Sequence, residues 1–355
     1  MRRLLLLLLL PLTLTGLPAH AQIAPPKGPV RAYQADDHVP RPHDSRFTLE
    51  EWTFTVRLED ETVVLVTLAL SNLWFLPQTV ALEASVIPPG GSATLYGRRE
   101  GTGGMTVDRA VARVDLSPSL RMSGLPPGPM TLHVESDWHG GLVLDLTLRD
   151  PWPGFVAGDG TFRVGDDPTA NVQTMVVTPR ADVEGTLSIG GQAAQVRGVA
   201  SVEHAFYPRL LSELFVQRHA AIAWLGQVAF VTVAWQARED RGGGLGGLVA
   251  ACDRRGVRAL STDIHVRWDS PRVTRGCAEP GKWLVTGEGL RFGGKAGRRL
   301  QVFGLTDPMS ALTRAAVSAV VGSPVFVRGL SVVEADVRGK RSKGTGIHRV
   351  ECADE

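Results

Sequence analysis

Apolar and polar positions alternate in short runs punctuated by Gly and Pro over most of the chain, the pattern of many antiparallel strands rather than of helices. In EEWTFTVRLEDETVVLVTLALSN (50–72) two β-rich runs flank a turn at Glu59-Asp60-Glu61, and TVALEASVI (79–87) stops at Pro88-Pro89-Gly90-Gly91. MTLHVESDWHGGLVLDLTLRD (130–150) folds back at His139-Gly140-Gly141. In DVEGTLSIGGQAAQVRGVASVEH (182–204), Val183, Leu187 and Ile189 share one face, Asp182, Glu184, Thr186 and Ser188 share the other, and Gly190-Gly191 supplies a two-residue turn. AAIAWLGQVAFVTVAWQA (220–237) is apolar enough to raise a membrane helix. Gly226-Gln227 splits it, however, into two Val-, Phe- and Trp-bearing strands buried on both faces. Two stretches read as helix. DPMSALTRAAVSAVVG (307–322) has Asp307 as N-cap, Pro308 at the first helical position and Gly322 as stop, and PRLLSELFVQRH (208–219) is the weaker case. One or two short helices on a body of strands is an all-β, calycin-style composition.

The richest turn segment, DPWPGFVAGDGTFRVGDDP (150–168), divides two β units, residues 46–168 and 169–355. Residues 22–45 are Pro- and charge-rich without periodicity and read as an extended lead-in. Residues 1–21 carry Arg2-Arg3, a leucine run and Ala19-His20-Ala21, the form of a secretory signal peptide cleaved after Ala21. The run is far short of the roughly 20 residues that span a bilayer, and Gln22 in place of Cys predicts no lipid anchor. The expected location is the periplasm or the cell exterior.

Export changes the reading of charge and of cysteine. Losing Arg2 and Arg3 takes the net charge of +2 to zero. Between Arg291 and Arg349, though, eleven basic residues face three acidic ones. Such a region suits peripheral contact with an anionic membrane, or the outward decoration of strands; no nucleic-acid partner is expected outside the cell. Three cysteines, Cys252, Cys277 and Cys352, give one disulfide and one spare thiol in an oxidising compartment. Cys252–Cys277 closes the shorter loop and is the expected pair, although spacing does not fix it.

Motifs for familiar chemistries are absent or empty. There is no G-x-S-x-G and no H-E-x-x-H, and Gly242–Gly247 matches G-x-G-x-x-G but lies between two β runs with no helix following. Asp150, Asp159, Asp166 and Asp167 lack calcium-loop spacing. No metal and no cofactor are expected. Eight tryptophans against three tyrosines, with Trp52, Trp224 and Trp235 in strands, suit either a barrel lined for a hydrophobic ligand or ordinary core packing. In VRGVASVEHAFYP (196–208), Val196, Val202 and His204 project to one side and Arg197, Val199, Ser201 and Glu203 to the other. That parity puts His204 at a cavity mouth, followed by Phe206 and Tyr207, and turns Glu203 away from it.

Four segments, in order, resemble the AttH-like double lipocalins, a family that includes hydroxyneurosporene synthase (carotenoid hydratase), fungal survival-factor proteins and Diels–Alderase-type cyclases. EEWTF (50–54) is similar to the opening strand, PGFVAGDG (153–160) to the inter-barrel segment, TPRADVEGTLSIGG with GVASVEHAF (178–206) to the start of the second barrel, and GLSVVEADVRGKRSKGTGIHRVE (329–351) to the closing strands. The resemblance implies two tandem lipocalin-like barrels with a hydrophobic ligand, such as a lipid or isoprenoid, bound in or between them; a monomer is expected. Trp52, His204, Phe206, Tyr207, Trp224 and Trp235 are the candidate ligand contacts. The family histidine maps to His204, but Glu203 and Phe206 replace the family's Asp and Trp. Two readings follow. The first is an exported carrier of a hydrophobic small molecule; the alternative is a hydratase or cyclase with His204 as acid/base and Trp52 or Trp224 shielding a carbocation.

Overall fold

The computed structural model describes residues 23–41, 47–73, 78–307 and 311–353, so the segment 1–21, expected to be a leader, lies outside the described residues. Nearly every element is a β-strand, in two large antiparallel sheets of lipocalin-like architecture. The first sheet opens with the strand Phe47–Leu58 and ends with Gln192–Tyr207, which returns to pair with it. The second opens with Phe215–Leu225 and closes the same way with Lys340–Cys352. Outward from each seam run three hairpin-linked strands on one side and the remaining strands, in reverse chain order, on the other. The chain therefore uses one topology twice.

Local sequence explains the hairpins. Gly190 and Gly191 sit at φ +58° and +80°, the mirror-image turn that matches strand twist and that only glycine adopts cheaply. Pro179 lies inside the strand Asn171–Ile189, where the register slips between Thr178 and Ala181, so its missing N–H falls at a bulge. Gly97 is bare because a Cβ there would lie 2.5 Å from the Trp138 ring. The first core is packed from Trp52, Phe54, Leu68, Leu132, Leu144 and their neighbours, all buried.

Several expectations change. Asn171–Ile189 and Gln192–Tyr207 do not open the second barrel: they hydrogen-bond to Leu142–Arg149 and to Phe47–Leu58, inside the first sheet. The sheets change over at residues 208–214. The turn-rich 150–168 segment is an excursion that returns to the same sheet, and its short strands Phe155–Val156 and Thr161–Val164 receive Arg31–Ala32 and Ile23–Ala24 of the lead-in. That lead-in is thus tied down, with a helical turn at Ala35–His38 in which Asp37 accepts from the Gln34 N–H. Of 208–219 only Leu211–Leu214 is helical; from Phe215 the chain pairs with strands on both sides, which outweighs local propensity. The later helix covers Ala311–Val321 and stops at Gly322, φ +75°. Its expected start at Pro308 lies outside the described residues, and Asp307 accepts from the Gly304 N–H and pairs with Arg275.

The disulfide joins Cys277 to Cys352, while Cys252 is a free, fully buried thiol whose pKa burial pushes up. Cys252 packs among Val231, Ala250 and Ile347, whereas the hairpin Arg272–Glu279 carries Cys277 onto the closing strand. Loop length misled the expectation, because pairing follows the fold and not the shorter contour. Non-reducing peptide mapping should recover the Cys277–Cys352 link, and Cys277→Ser should cost about 2–4 kcal/mol in urea unfolding, as expected for a 75-residue closure. A recovered Cys252–Cys277 peptide would refute this arrangement.

Candidate functional site

Glu50 and Glu51 are neighbours on one extended strand and therefore face opposite ways. Each anchors a cluster of buried polar groups. Glu50 enters the interior of the first sheet, where His204 stands directly across the seam from Trp52 and stacks on it at 4.5 Å and 15°. His204 Nε2 lies 2.9 Å from Glu50 Oε1, and its Nδ1 lies 3.0 Å from the Tyr33 hydroxyl. Tyr33 in turn is 3.2 Å from His38 Nδ1. Arg41 closes the other side, donating to Glu50 from its main-chain N–H at 2.8 Å and its guanidinium at 2.9 Å.

One hydrogen assignment satisfies this chain: His38 Nδ1–H donates to Tyr33, Tyr33 O–H to His204 Nδ1, and His204 Nε2–H to the Glu50 carboxylate. Both imidazoles are then neutral. Burial supports that state, lowering the His204 pKa, and lowering that of His38 to about 3 with help from His204. His204 is 0% exposed, so it does not sit at a cavity mouth as its strand parity suggested. The lead-in segment, read as featureless from sequence, supplies the Tyr33, His38 and Arg41 that cover it.

Glu51 faces the space between the sheets. There Arg218 is 3.8 Å from Glu51, 3.3 Å from Glu203 and 2.6 Å from Glu351, Arg349 pairs with Glu203, and the Tyr207 hydroxyl donates to Glu51 at 3.3 Å. Among the described residues two guanidiniums meet three carboxyls, so the cluster is neutral when one carboxyl holds a proton. Glu51 has the longest contacts of the three. Burial, reinforced by Glu351, raises its pKa to about 7 despite Arg218 and Arg349.

Glu51 also lines a cleft of about 320 Å³ between the sheets. One wall is the outer face of the strands at 47–58, 63–73, 79–87 and 94–101. The other is built from Phe215, Phe303, Phe326 and Val350, with Val317 and Val321 of the helix. Apolar side chains predominate; Glu51, Gln217, Arg218, Arg349 and Glu351 form one polar cluster on the lining, and Glu83, Arg98, Arg99 and Arg328 bring further charge to it. This is an arrangement that can hold a hydrophobic molecule against a proton-bearing carboxyl.

The sequence-based candidates scatter around this cleft without lining it. Trp52 and His204 meet in the first interior; Phe206 lies under the Arg41 guanidinium, 5.4 Å from its centre. Tyr207 reaches the outward cluster by its hydroxyl. Trp224 donates to the Pro179 carbonyl at the bulge (3.0 Å), and Trp235 packs between Phe162 and Phe215. No motif in the sequence marks His348, on the second closing strand, whose Nε2 lies 2.9 Å from Glu279 and whose Nδ1 lies 2.8 Å from Ser331. Glu279, held by Arg299 and Arg272, has its pKa lowered to about 2: its hydrogen bonds to His348 and both arginines outweigh the desolvation that opposes them. Both halves of the chain thus bury a His–Glu pair at the seam.

This tandem architecture is shared with solved structures of AttH-like lipocalin fold. Among solved structures, a putative AttH from Nitrosomonas europaea matches with a TM-score of 0.64 at 17% identity, over 92% of this chain and 98% of that one. CghA in complex with Sch210972 matches at 0.63 and 12% identity, over 88% and 90%. Kievitone hydratase from Nectria haematococca matches at 0.58 and 11% identity, over 94% and 98%. No protein-family model and no curated protein sequence matches the chain. These similarities establish a shared AttH-like lipocalin fold.

Proposed function

We propose that the protein takes up an apolar small molecule, such as an isoprenoid or lipid, in the inter-sheet cleft and protonates it from Glu51, acting as a hydratase or cyclase. The observation that carries the reading is a carboxyl with a pKa near neutrality on the wall of an apolar cleft. Protonating an isolated C=C bond moves the Glu51 proton to one carbon and leaves a cation on the other. The new carboxylate is stabilised by Tyr207 and Arg218, and attack by water or a second double bond completes hydration or cyclisation, the released proton returning to Glu51. Among the neighbours in fold, one is a hydratase and one was crystallised with Sch210972. The acid/base role passes from His204, which is sealed behind Tyr33, to Glu51.

The carrier reading is favoured by the extent of apolar lining, which needs no chemistry. The leader sequence and the Cys277–Cys352 disulfide support activity outside the cytoplasm for either reading. Native mass spectrometry followed by solvent extraction should recover a lipophilic molecule from the protein. Ala81→Trp, which fills the floor of the cleft, should abolish that recovery without lowering the unfolding midpoint by more than a few degrees. Equal recovery from wild type and variant would place the ligand elsewhere and overturn the reading.

A further inference from the structure

Strand register places Glu51, Ala69, Ala81 and Arg99 opposite one another in a single row across four adjacent strands. All four line the cleft. The two alanines leave the middle of the row bare, so the row presents an acid at one end, a shallow apolar floor, and a guanidinium at the other. At about 4.8 Å between strands the two charged ends stand roughly 14 Å apart at the backbone.

The six arginines of the cleft are not equivalent. Arg98 pairs with Glu100, Arg209 with Asp167, Arg218 with Glu351 and Glu203, Arg328 with Glu83, and Arg349 with Glu203. Arg99 alone has no carboxylate partner among the described residues. Arg99 is exposed at the edge of the cleft, so its guanidinium is free to meet a ligand, and the protein bulk beside it lowers its pKa by desolvation. A guanidinium with five donors and no acceptor, set on an apolar wall, is poorly matched to a wholly hydrocarbon ligand and well matched to an anion.

We propose that the cleft selects an amphiphile, an apolar body carrying one anionic group such as a carboxylate or acidic enol, bound with its anion on Arg99 and its body over Ala81 and Ala69 toward Glu51. This inference rests on the cleft being the ligand site and adds the chemical class of ligand and its direction of binding. It also separates the roles of the two ends: Arg99 binds the head group, and Glu51 meets the part of the molecule farthest from it.

Decanoate and 1-decanol share a chain and differ in charge, so their affinities by isothermal calorimetry at pH 8 test the proposal directly. Wild type should bind decanoate at least tenfold more tightly than decanol. Arg99→Gln should lose that preference, with decanol affinity changed less than twofold and thermal unfolding unaltered. Arg99→Lys should restore part of the preference. If wild type binds both ligands equally, or if Arg99→Gln keeps the preference, the anionic head group is wrong and the cleft as an apolar site survives. If Ala81→Trp leaves both affinities intact, or if wild type binds neither, the cleft reading fails and takes this inference with it.

Discussion

Glu50→Ala should lower the unfolding free energy by about 3–5 kcal/mol, the cost of stripping one partner from a buried charged cluster. Glu50 is fully buried, and its carboxylate accepts from His204 and twice from Arg41. Without it the Arg41 guanidinium is left beside apolar neighbours. His204 also loses the acceptor that fixes its tautomer, so the hydrogen-bond chain through Tyr33 to His38 loses its direction. The lead-in segment is held to the body largely by that chain and by two short strand pairings, Ile23–Ala24 and Arg31–Ala32. Loosening it should therefore appear as faster tryptic cleavage after Lys27 and Arg31 under native conditions, alongside a lower urea midpoint. Tyr33→Phe removes one hydroxyl and leaves the carboxylate paired, so it should cost only about 1–2 kcal/mol. A Glu50→Ala midpoint within 1 kcal/mol of wild type would show that the cluster is incidental to stability.

The architecture was legible because alternation, turn glycines and strand-length runs are local properties. The hairpins at Glu59–Glu61, His139–Gly141 and Gly190-Gly191 all lie where sequence put them. Sheet membership is not local. Nothing in residues 171–207 announces that they pair with Phe47–Leu58 rather than with the strands that follow, and a Gly- and Pro-rich segment marks an excursion as readily as a boundary. Parity was sound: Glu203 and His204 do face opposite ways, Glu203 toward Arg218 and Arg349, His204 toward Trp52. What parity could not supply was the cover over His204, which comes from residues some 170 positions earlier. The most informative signal lies in EEWTF, where two adjacent acids on a strand divide between its faces, so that one of them is buried or lines a cleft.

Glu51→Gln should reduce turnover of the bound substrate by a factor of about 10²–10⁴ while leaving affinity for it within a few-fold. At 1.36 kcal/mol per decade this corresponds to roughly 3–5 kcal/mol of barrier, the size expected for removing a positioned general acid. Gln keeps the shape and the contact with Tyr207, so a loss of that size cannot come from packing. The pH profile separates a proton donor from a mere polar contact. An acid with its pKa raised to about 7 is protonated below that pH and ionised above it, so kcat should be level in mild acid and fall as pH rises through 7. The fall should approach tenfold per pH unit. Residual activity of Glu51→Gln should lack this limb. Glu351→Gln removes the carboxyl that helps raise the Glu51 pKa, so it should move the limb to lower pH, whereas Arg218→Gln should move it higher at the expense of stability. These opposite displacements follow from the electroneutrality of two guanidiniums and three carboxyls. A profile that ignores both substitutions would assign the proton to another group and return the cleft to the role of carrier.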